Sequence, residues 1–209
     1  MSKQLSKANK LSKANKLTVK DMVTTGIFST IFTVFMLLGG VFFATNPVLT
    51  FLMPLGAALL PGPVYLLLSA KVPKKGSITI LGILVGIFMF ITGMHWSMVV
   101  GFMVLGIIAD IITASGKYKN FKLTIIGYSL FMLANTTSYA MFFLDQKNYL
   151  AYMQKNSTAN PAYFDTMVST GQSWMLPAII IGTIICAVIS GLIGKKFLRK
   201  QFRKAGIVA

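Results

Sequence analysis

The sequence predicts an all-α integral membrane protein, a compact bundle of six transmembrane helices whose second helix is kinked by prolines. Composition is the first reason, because 55% of the 209 residues are hydrophobic and only 11% are charged, whereas soluble domains are about 25% charged. The second reason is that apolar runs recur and reach the ~20 residues needed to cross a bilayer. The third is that basic residues, which give a net charge of +16, lie at the ends of these runs. This placement indicates membrane topology, and no nucleic-acid partner is expected.

Six apolar runs are interpreted as the spans. The second run contains Pro54, Pro61 and Pro63, and each proline removes a backbone donor and bends or breaks a helix. We expect this run to cross the membrane once, with a kink. The predicted spans are Met22–Phe43, Pro47–Ala70, Ser77–Met94, Ser97–Ser115, Leu123–Leu144 and Ser173–Leu198.

The distribution of basic residues predicts the orientation. A lysine-rich arm (residues 1–21), the loops after spans two and four, and the C-terminal end of the chain together carry eighteen Lys and Arg residues. The remaining two, Lys147 and Lys155, lie on the other side. The positive-inside rule therefore places both termini in the cytoplasm. The arm contains a six-residue repeat and is expected to lie on anionic lipid, followed by a transmembrane domain (residues 22–198) and a basic tail (residues 199–209).

The predicted outer connections differ in length. The turn between spans three and four is short and contains His95, the only histidine, and Trp96, one of two tryptophans. The connection Asp145–Gln172 is long, polar and aromatic. Connections of this length are often functional lids, and we expect a lid here; the alternative is a partly disordered connector.

The sequence contains few residues that could support catalysis. It has no glycine-rich phosphate-binding loop, no H-E-x-x-H zinc motif, no glutamate and a single cysteine, Cys186. We therefore expect no catalytic residue, no metal site and no cofactor. Asp110 is the one ionisable residue within a predicted span, and its position near the cytoplasmic end predicts a structural ion pair with Lys117 or Lys119.

Polar and aromatic residues collect at the predicted outer ends of the spans, and this grouping favours a small-molecule site. Asn135 and Tyr139 are four residues apart and share a helix face. Taken singly, each residue could instead belong to the interfacial aromatic belt or bond one helix to another. As a group they predict a small, aromatic, uncharged pocket for a flat heterocycle. The candidate binding residues are Asn46, His95, Trp96, Asn135, Tyr139, Gln172 and Trp174.

Span one presents small and weakly polar residues at helical spacing, which suits close approach by another membrane helix. We expect this face to dock on a separate membrane protein. The alternative is that it packs on the chain's own span six, which carries small residues at every fourth position from Ala178 to Gly194. The candidate docking residues are Gly26, Ser29, Thr30 and Thr33.

In overall pattern the chain resembles the substrate-binding S components of energy-coupling factor (ECF) transporters, in their MptD-like branch. The resemblance rests on the length, the six spans, the basic arm, the cytoplasmic termini, the small-residue face of span one and the long outer loop before span six. It implies a vitamin-binding pocket open to the outside near spans four to six. It also implies docking on a transmembrane T component that is powered by two cytoplasmic ATPase subunits. In place of the A-x-x-x-A contact motif of that family, this chain has Thr25, Ser29 and Thr33 at spacings of four, and Gly26 and Thr30 beside them.

The resemblance also bears on the substrate. The metal-ion branch of these transporters uses an N-terminal histidine-rich site, which this chain lacks. The implied ligand is a small vitamin or precursor, such as hydroxymethylpyrimidine or pyridoxine. Two other hypotheses remain open at this point. The chain could be a stand-alone secondary carrier for a small heterocycle, or a membrane scaffold whose basic arm recruits a partner.

Overall fold

A computed structural model describes residues 16–204, with side chains described up to Arg199. The first fifteen residues, which include most of the lysine-rich repeat, and residues 205–209 lie outside the described part. Within residues 16–204 the chain is helical, with no strand. Two 3-10 segments cover Leu49–Leu52 and Leu133–Thr136. The α-helices are α1 Val19–Ala44, α2 Met53–Leu59, α3 Gly62–Lys71, α4 Ser77–Ile91, α5 Trp96–Ser115, α6 Phe121–Met132, α7 Thr137–Leu144, α8 Gln146–Asn156, α9 Pro161–Thr170 and α10 Met175–Lys204.

Four helical segments in the described chain are long and apolar enough to cross a membrane, namely Val19–Ala44, Leu49–Lys71, Trp96–Ser115 and Met175–Arg199. This confirms an all-α, multi-pass membrane protein. Helix α4 is apolar but has only 15 residues, which is about 22 Å of helix. The apolar run from α6 through α7 is interrupted by the second 3-10 segment.

The proline-rich second span is the most buried of the four, with 61% of its apolar window inside the bundle. It breaks after Leu59, and α3 restarts at Gly62. Pro54 and Pro63 lie in the first turns of α2 and α3. A helix does not need its backbone donors in that turn, so proline is tolerated there.

The backbone groups that the break frees are bonded by two neighbouring helices. The Gly62 N–H, which would continue the helix by bonding to the Ala58 carbonyl, instead donates to the Ser190 hydroxyl of α10 at 3.1 Å. The Ala58 carbonyl accepts from the Tyr128 hydroxyl of α6 at 2.7 Å. The break is therefore held from two sides.

Glycines allow α1 and α10 to approach this central span. A Cβ at Gly39 in α1 would overlap the carbonyl oxygen of Gly56 in α2. A Cβ at Gly194 in α10 would lie 2.9 Å from Cα of Pro63. The small-residue stripe of span six thus packs against span two. Span one also contacts span two, through the C-terminal half of α1, where Gly39 lies against Gly56.

The predicted docking face of span one is divided in the structure. Ser29 and Thr33 are turned into the bundle, with exposed fractions of 4% and 7%, and their hydroxyls bond to carbonyls one turn earlier in α1. For these two residues the expectation of an exposed face is corrected. Gly26 and Thr30 face outward, since a Cβ at Gly26 would meet nothing within 4 Å and Thr30 is exposed.

One end of the bundle is fastened by polar contacts between distant parts of the chain. Thr18 caps α1 through a reciprocal capping box with Asp21. The Asp21 carboxylate also pairs with Lys74 Nζ at 2.6 Å. The start of α1 and the α3–α4 loop therefore lie at the same end.

Asp110 is bonded differently from the expected ion pair. It accepts from the Gly76 N–H at 2.5 Å and from the Tyr118 hydroxyl at 3.0 Å. Within the described residues neither Lys117 nor Lys119 forms a salt bridge with it. The predicted lysine pair was wrong. Both lysines lie at or after the end of α5, and Lys117 has a positive φ of 53°.

Alanine substitution at two glycines of α1 should distinguish a closely packed position from one on the open surface. Gly39→Ala should lower the free energy of unfolding by about 1–3 kcal/mol, because overpacking shifts backbone. Gly26→Ala should leave it unchanged or raise it by up to about 1 kcal/mol through helix propensity. Thermal unfolding of both variants in detergent measures the difference. Equal unfolding temperatures for the two would contradict the Gly39–Gly56 contact.

Candidate functional site

A cavity of about 220 Å³ lies at the opposite end of the bundle from the Asp21–Lys74 pair. The end of α1, the first 3-10 segment, the α4–α5 turn, α7, and the helices α8 and α9 with their linker all contribute to its wall. The lining residues are Ala44, Thr50, Met53, Thr92, Gly93, Met94, Met98, Ser138, Tyr139, Tyr149, Met153, Ser157, Thr158, Ala159, Tyr163, Phe164 and Met167.

The long connection Asp145–Gln172 folds as two helices that cover this cavity. The Asp145 side chain caps α8, and Asn160 caps α9 with Pro161 at its first position. Side chains of the two helices pack into a second apolar core with residues from the first 3-10 segment, α7 and α10. That core contains Phe51, Tyr139, Phe142, Tyr149, Met153, Phe164, Met167 and Ile179. The connection therefore has the position that the predicted lid requires, and we refer to α8, α9 and their linker as the lid.

The lining combines soft apolar side chains with hydroxyl groups. Five methionines contribute: Met53, Met94, Met98, Met153 and Met167. Methionine is flexible and polarisable, so it adapts to irregular shapes and makes favourable contacts with aromatic rings. The described residues that line the cavity include no Asp, Glu, Lys, Arg or His. The wall is thus electrically neutral.

Two tyrosines bridge parts of the wall that are far apart in sequence. The Tyr139 hydroxyl donates to the Thr50 carbonyl at 2.6 Å, which joins α7 to the first 3-10 segment. The Tyr163 hydroxyl donates to the Ala44 carbonyl at 3.0 Å, which joins the lid to the end of α1. Burial raises the pKa of Tyr163, and it raises the pKa of Tyr149 to about 12. These two phenols therefore stay neutral at physiological pH.

Of the seven predicted binding residues, Tyr139 lines the cavity and the other six do not. Trp96 and Trp174 point outward, with exposed fractions of 46% and 60%. Gln172 is exposed and accepts from the Trp174 indole N–H at 2.6 Å. Asn46 is also exposed, and its side-chain oxygen accepts from the Val48 N–H at 2.8 Å. The Asn46, Gln172 and Trp174 side chains thus form local hydrogen bonds.

Asn135 and His95 are buried, but they lie outside the cavity wall. Asn135 sits in the second 3-10 segment and donates to the Met132 carbonyl at 3.4 Å. Its other contact is the Met36 sulfur of α1 at 3.8 Å. Asn135 therefore bonds within the bundle, which was the alternative considered for a buried amide.

His95 connects the α4–α5 turn to the lid. Its Nδ1 accepts from the Ser97 N–H at 3.2 Å and caps α5. The ring also packs against the lid residues Tyr149 and Tyr152, with centroids 5.2 and 4.8 Å away. Because Tyr149 lines the cavity, His95 supports the wall from behind. Burial lowers the pKa of His95.

The sequence reasoning missed the methionines and the small hydroxyl residues of the wall. One pattern in the sequence does indicate which lid residues face the cavity. Tyr149 and Met153 are four residues apart, and Phe164 and Met167 are three apart, which puts each pair on one helix face. The threonines and serines carry no such signal, because they occur throughout the spans.

The α4–α5 turn fits closely under the lid at Gly93. This residue has a φ of +81°, and a Cβ there would lie 2.5 Å from the Asn156 carbonyl oxygen. Gly93→Ala should therefore displace the lid linker. Limited proteolysis within residues 145–172 should be faster in this variant than in the wild type, with Gly26→Ala as the control. The same cleavage rate in all three proteins would show that the turn does not hold the lid.

The titration of His95 should make the cap of α5 and the packing of the lid sensitive to acid. Its folded pKa lies below the unfolded value of about 6.5, so the unfolded state binds the proton more tightly. The stability that neutral His95 contributes is present above about pH 6.5 and is lost as pH falls towards the folded pKa. Unfolding temperatures at pH 7.5 and 5 should therefore differ more in the wild type than in His95→Asn, which retains a capping side chain. An equal pH effect in both would contradict this role.

Comparison with known proteins identifies a family. Residues 19–204 match the model of a family described as hypothetical bacterial integral membrane protein (Trep_Strep). No curated protein and no solved structure matches the chain. The family match covers α1 to α10, including the lid and all the residues that line the cavity. The chain therefore belongs to the Trep_Strep family of bacterial integral membrane proteins.

Proposed function

We propose that this chain is the substrate-binding S component of an ECF-type importer in a bacterial plasma membrane, of the MptD-like branch. It would capture a small vitamin or precursor, such as hydroxymethylpyrimidine or pyridoxine, on the outer side. The observation that carries the proposal is a neutral, partly open cavity that lies beneath two lid helices at one end of the bundle. A capture subunit needs such a chamber, whereas a scaffold does not.

The proposed topology has six spans with both termini in the cytoplasm. The basic residues support it, with eighteen on the side of the termini and two on the other. So does the grouping of Asp21, Lys74 and Asp110 at the end opposite the cavity. Helix α4 and the α6–α7 run supply the two crossings beyond the four long apolar segments.

Import would require partners, because the sequence has no glycine-rich phosphate-binding loop for ATP. We propose a transmembrane T component and two cytoplasmic ATPase subunits, which would hydrolyse ATP. The docking surface on this chain would be the outward strip of α1 that includes Gly26 and Thr30. It is smooth at Gly26, where a Cβ would have open space around it, and a partner helix can approach such a surface closely.

Isolation of the tagged chain from its native membrane tests the assembly. We expect a membrane protein and two ATPases to co-purify, and ATP-dependent vitamin uptake in cells that express all four proteins. Gly26→Leu and Thr30→Leu should reduce co-purification and uptake at least tenfold while the protein stays folded. Ile27→Leu, at an exposed neighbouring position, is the matched control.

Three results would contradict the proposal in different ways. Uptake by the lone protein in vesicles, driven by an ion gradient, would indicate a secondary carrier. If the tagged chain is isolated without any co-purifying ATPase, the importer proposal is rejected. Normal assembly of both leucine variants would be consistent with the importer, but it would show that the docking surface lies elsewhere on the chain.

A further inference from the structure

The cavity restricts the chemistry of its ligand more closely than the proposed function does. We infer that it takes a neutral, single-ring molecule with a polar group that hydrogen bonds to Ser157, and that it rejects the carboxylate or phosphate form of the same ring. The inference rests on the proposed function in treating the cavity as a substrate site.

The cavity lacks a counter-charge. The described residues that line it carry no cationic or acidic side chain. The charged residues of the lid, which are Asp145, Lys147, Lys155 and Asp165, are absent from the lining. Taking an ion out of water without a partner is very costly. An anionic or cationic ligand would have to bear that cost in this cavity, and a neutral one would not.

Ser157 provides a specific polar contact. Its hydroxyl oxygen is buried and has no hydrogen-bond partner among the described residues, and the residue lines the cavity. Buried polar groups are rarely left unpaired, because the loss of hydration is then uncompensated. A ligand hydroxyl, amide or ring nitrogen beside Ser157 would satisfy it. The residue lies in the lid linker, directly after α8, so this bond would also hold the lid closed.

Volume limits the ligand to one ring. An apolar cavity of ~150 Å³ holds benzene, and ligand pockets for larger molecules are roughly 300–1,000 Å³. At about 220 Å³, this cavity fits a six-membered ring with small substituents. The five methionines can adjust around the ring faces.

A library of single-ring compounds in matched pairs tests the inference on the purified full-length chain in detergent. Each pair presents one ring as a neutral amide or alcohol and as a carboxylate or phosphate ester. Nicotinamide with nicotinate is one pair, and hydroxymethylpyrimidine with its phosphate is another. Thermal stabilisation, followed by calorimetry on the hits, should show neutral members binding at least tenfold more tightly than their charged counterparts. Equal or tighter binding of charged members, or no neutral hit at all, would overturn the inference.

A serine pair in the lid tests the polar contact. Ser157→Ala should weaken the best neutral hit about tenfold, as the loss of one buried hydrogen bond implies. Ser157→Thr, which keeps a hydroxyl, should bind more tightly than Ser157→Ala. Ser169→Ala is the control, because Ser169 is exposed on α9 and bonds to the Thr166 carbonyl. If Ser157→Ala binds the best neutral hit with wild-type affinity, Ser157 does not bond to the ligand.

These binding measurements use the chain alone, so they separate this inference from the importer proposal. Neutral ligand binding without any co-purifying ATPase would uphold the inference and reject the importer. The opposite result is an ATPase complex that releases a carboxylate or phosphate on denaturation, as identified by mass spectrometry. It would uphold the importer and reject the inference.

Discussion

The repaired break between α2 and α3 is the constraint on which the rest of the bundle depends. Within lipid, a backbone group without a partner is costly, and irregular backbone is tolerated only where protein surrounds it. Tyr128 and Ser190 supply the partners for Ala58 and Gly62. Both side chains must reach the break, so α6 and α10 are fixed against the central span. This accounts for the deep burial of a segment whose prolines would otherwise favour a surface position.

Packing at the break also explains why the two ends of the bundle differ. Around the central span, backbones approach closely at Gly39 and Gly194. The 3-10 segment that precedes α2 lies at the cavity end, and the wall there includes longer side chains such as Met53 and Tyr139. Large side chains hold helices apart, and the lid closes over the space that results. The cavity is thus a consequence of where the small residues stop.

The sequence predicts the fold class, but it does not predict which residues line the cavity, for a physical reason. Composition, apolar run length and proline position are local properties that the bilayer acts on directly, so the helices and the break near Pro61 follow from them. The lid's location also follows, because Asp145–Gln172 is the one long polar connection. Binding residues depend on which helix faces meet, and residue type alone does not contain that information. Trp96 and Trp174 looked like pocket walls and proved to be exposed, whereas Ser157 gave no signal.

The predicted docking residues show the same limit of prediction from residue type and spacing. The stripe on span one has the right composition for a smooth surface, but helical spacing cannot say which part of a stripe the bundle itself covers. Ser29 and Thr33 are covered, and Gly26 and Thr30 are not. The two pairs lie on adjacent strips of one helix, so a rotation of α1 by a fraction of a turn would exchange them. The packing of Gly39 on Gly56 fixes that rotation.

Charge placement links the topology to the chemistry of the cavity. Orientation in the membrane favours basic residues on one side, and the proposed topology would put eighteen of the twenty there. The four acidic residues are used for a helix cap and ion pair at Asp21, for the Asp110 bonds, or within the lid. The wall of the cavity is left with thioethers, hydroxyls and phenols. A site built from such groups distinguishes ligands by shape and by the cost of burying charge, and that cost falls on an ionised ligand wherever it sits in the cavity.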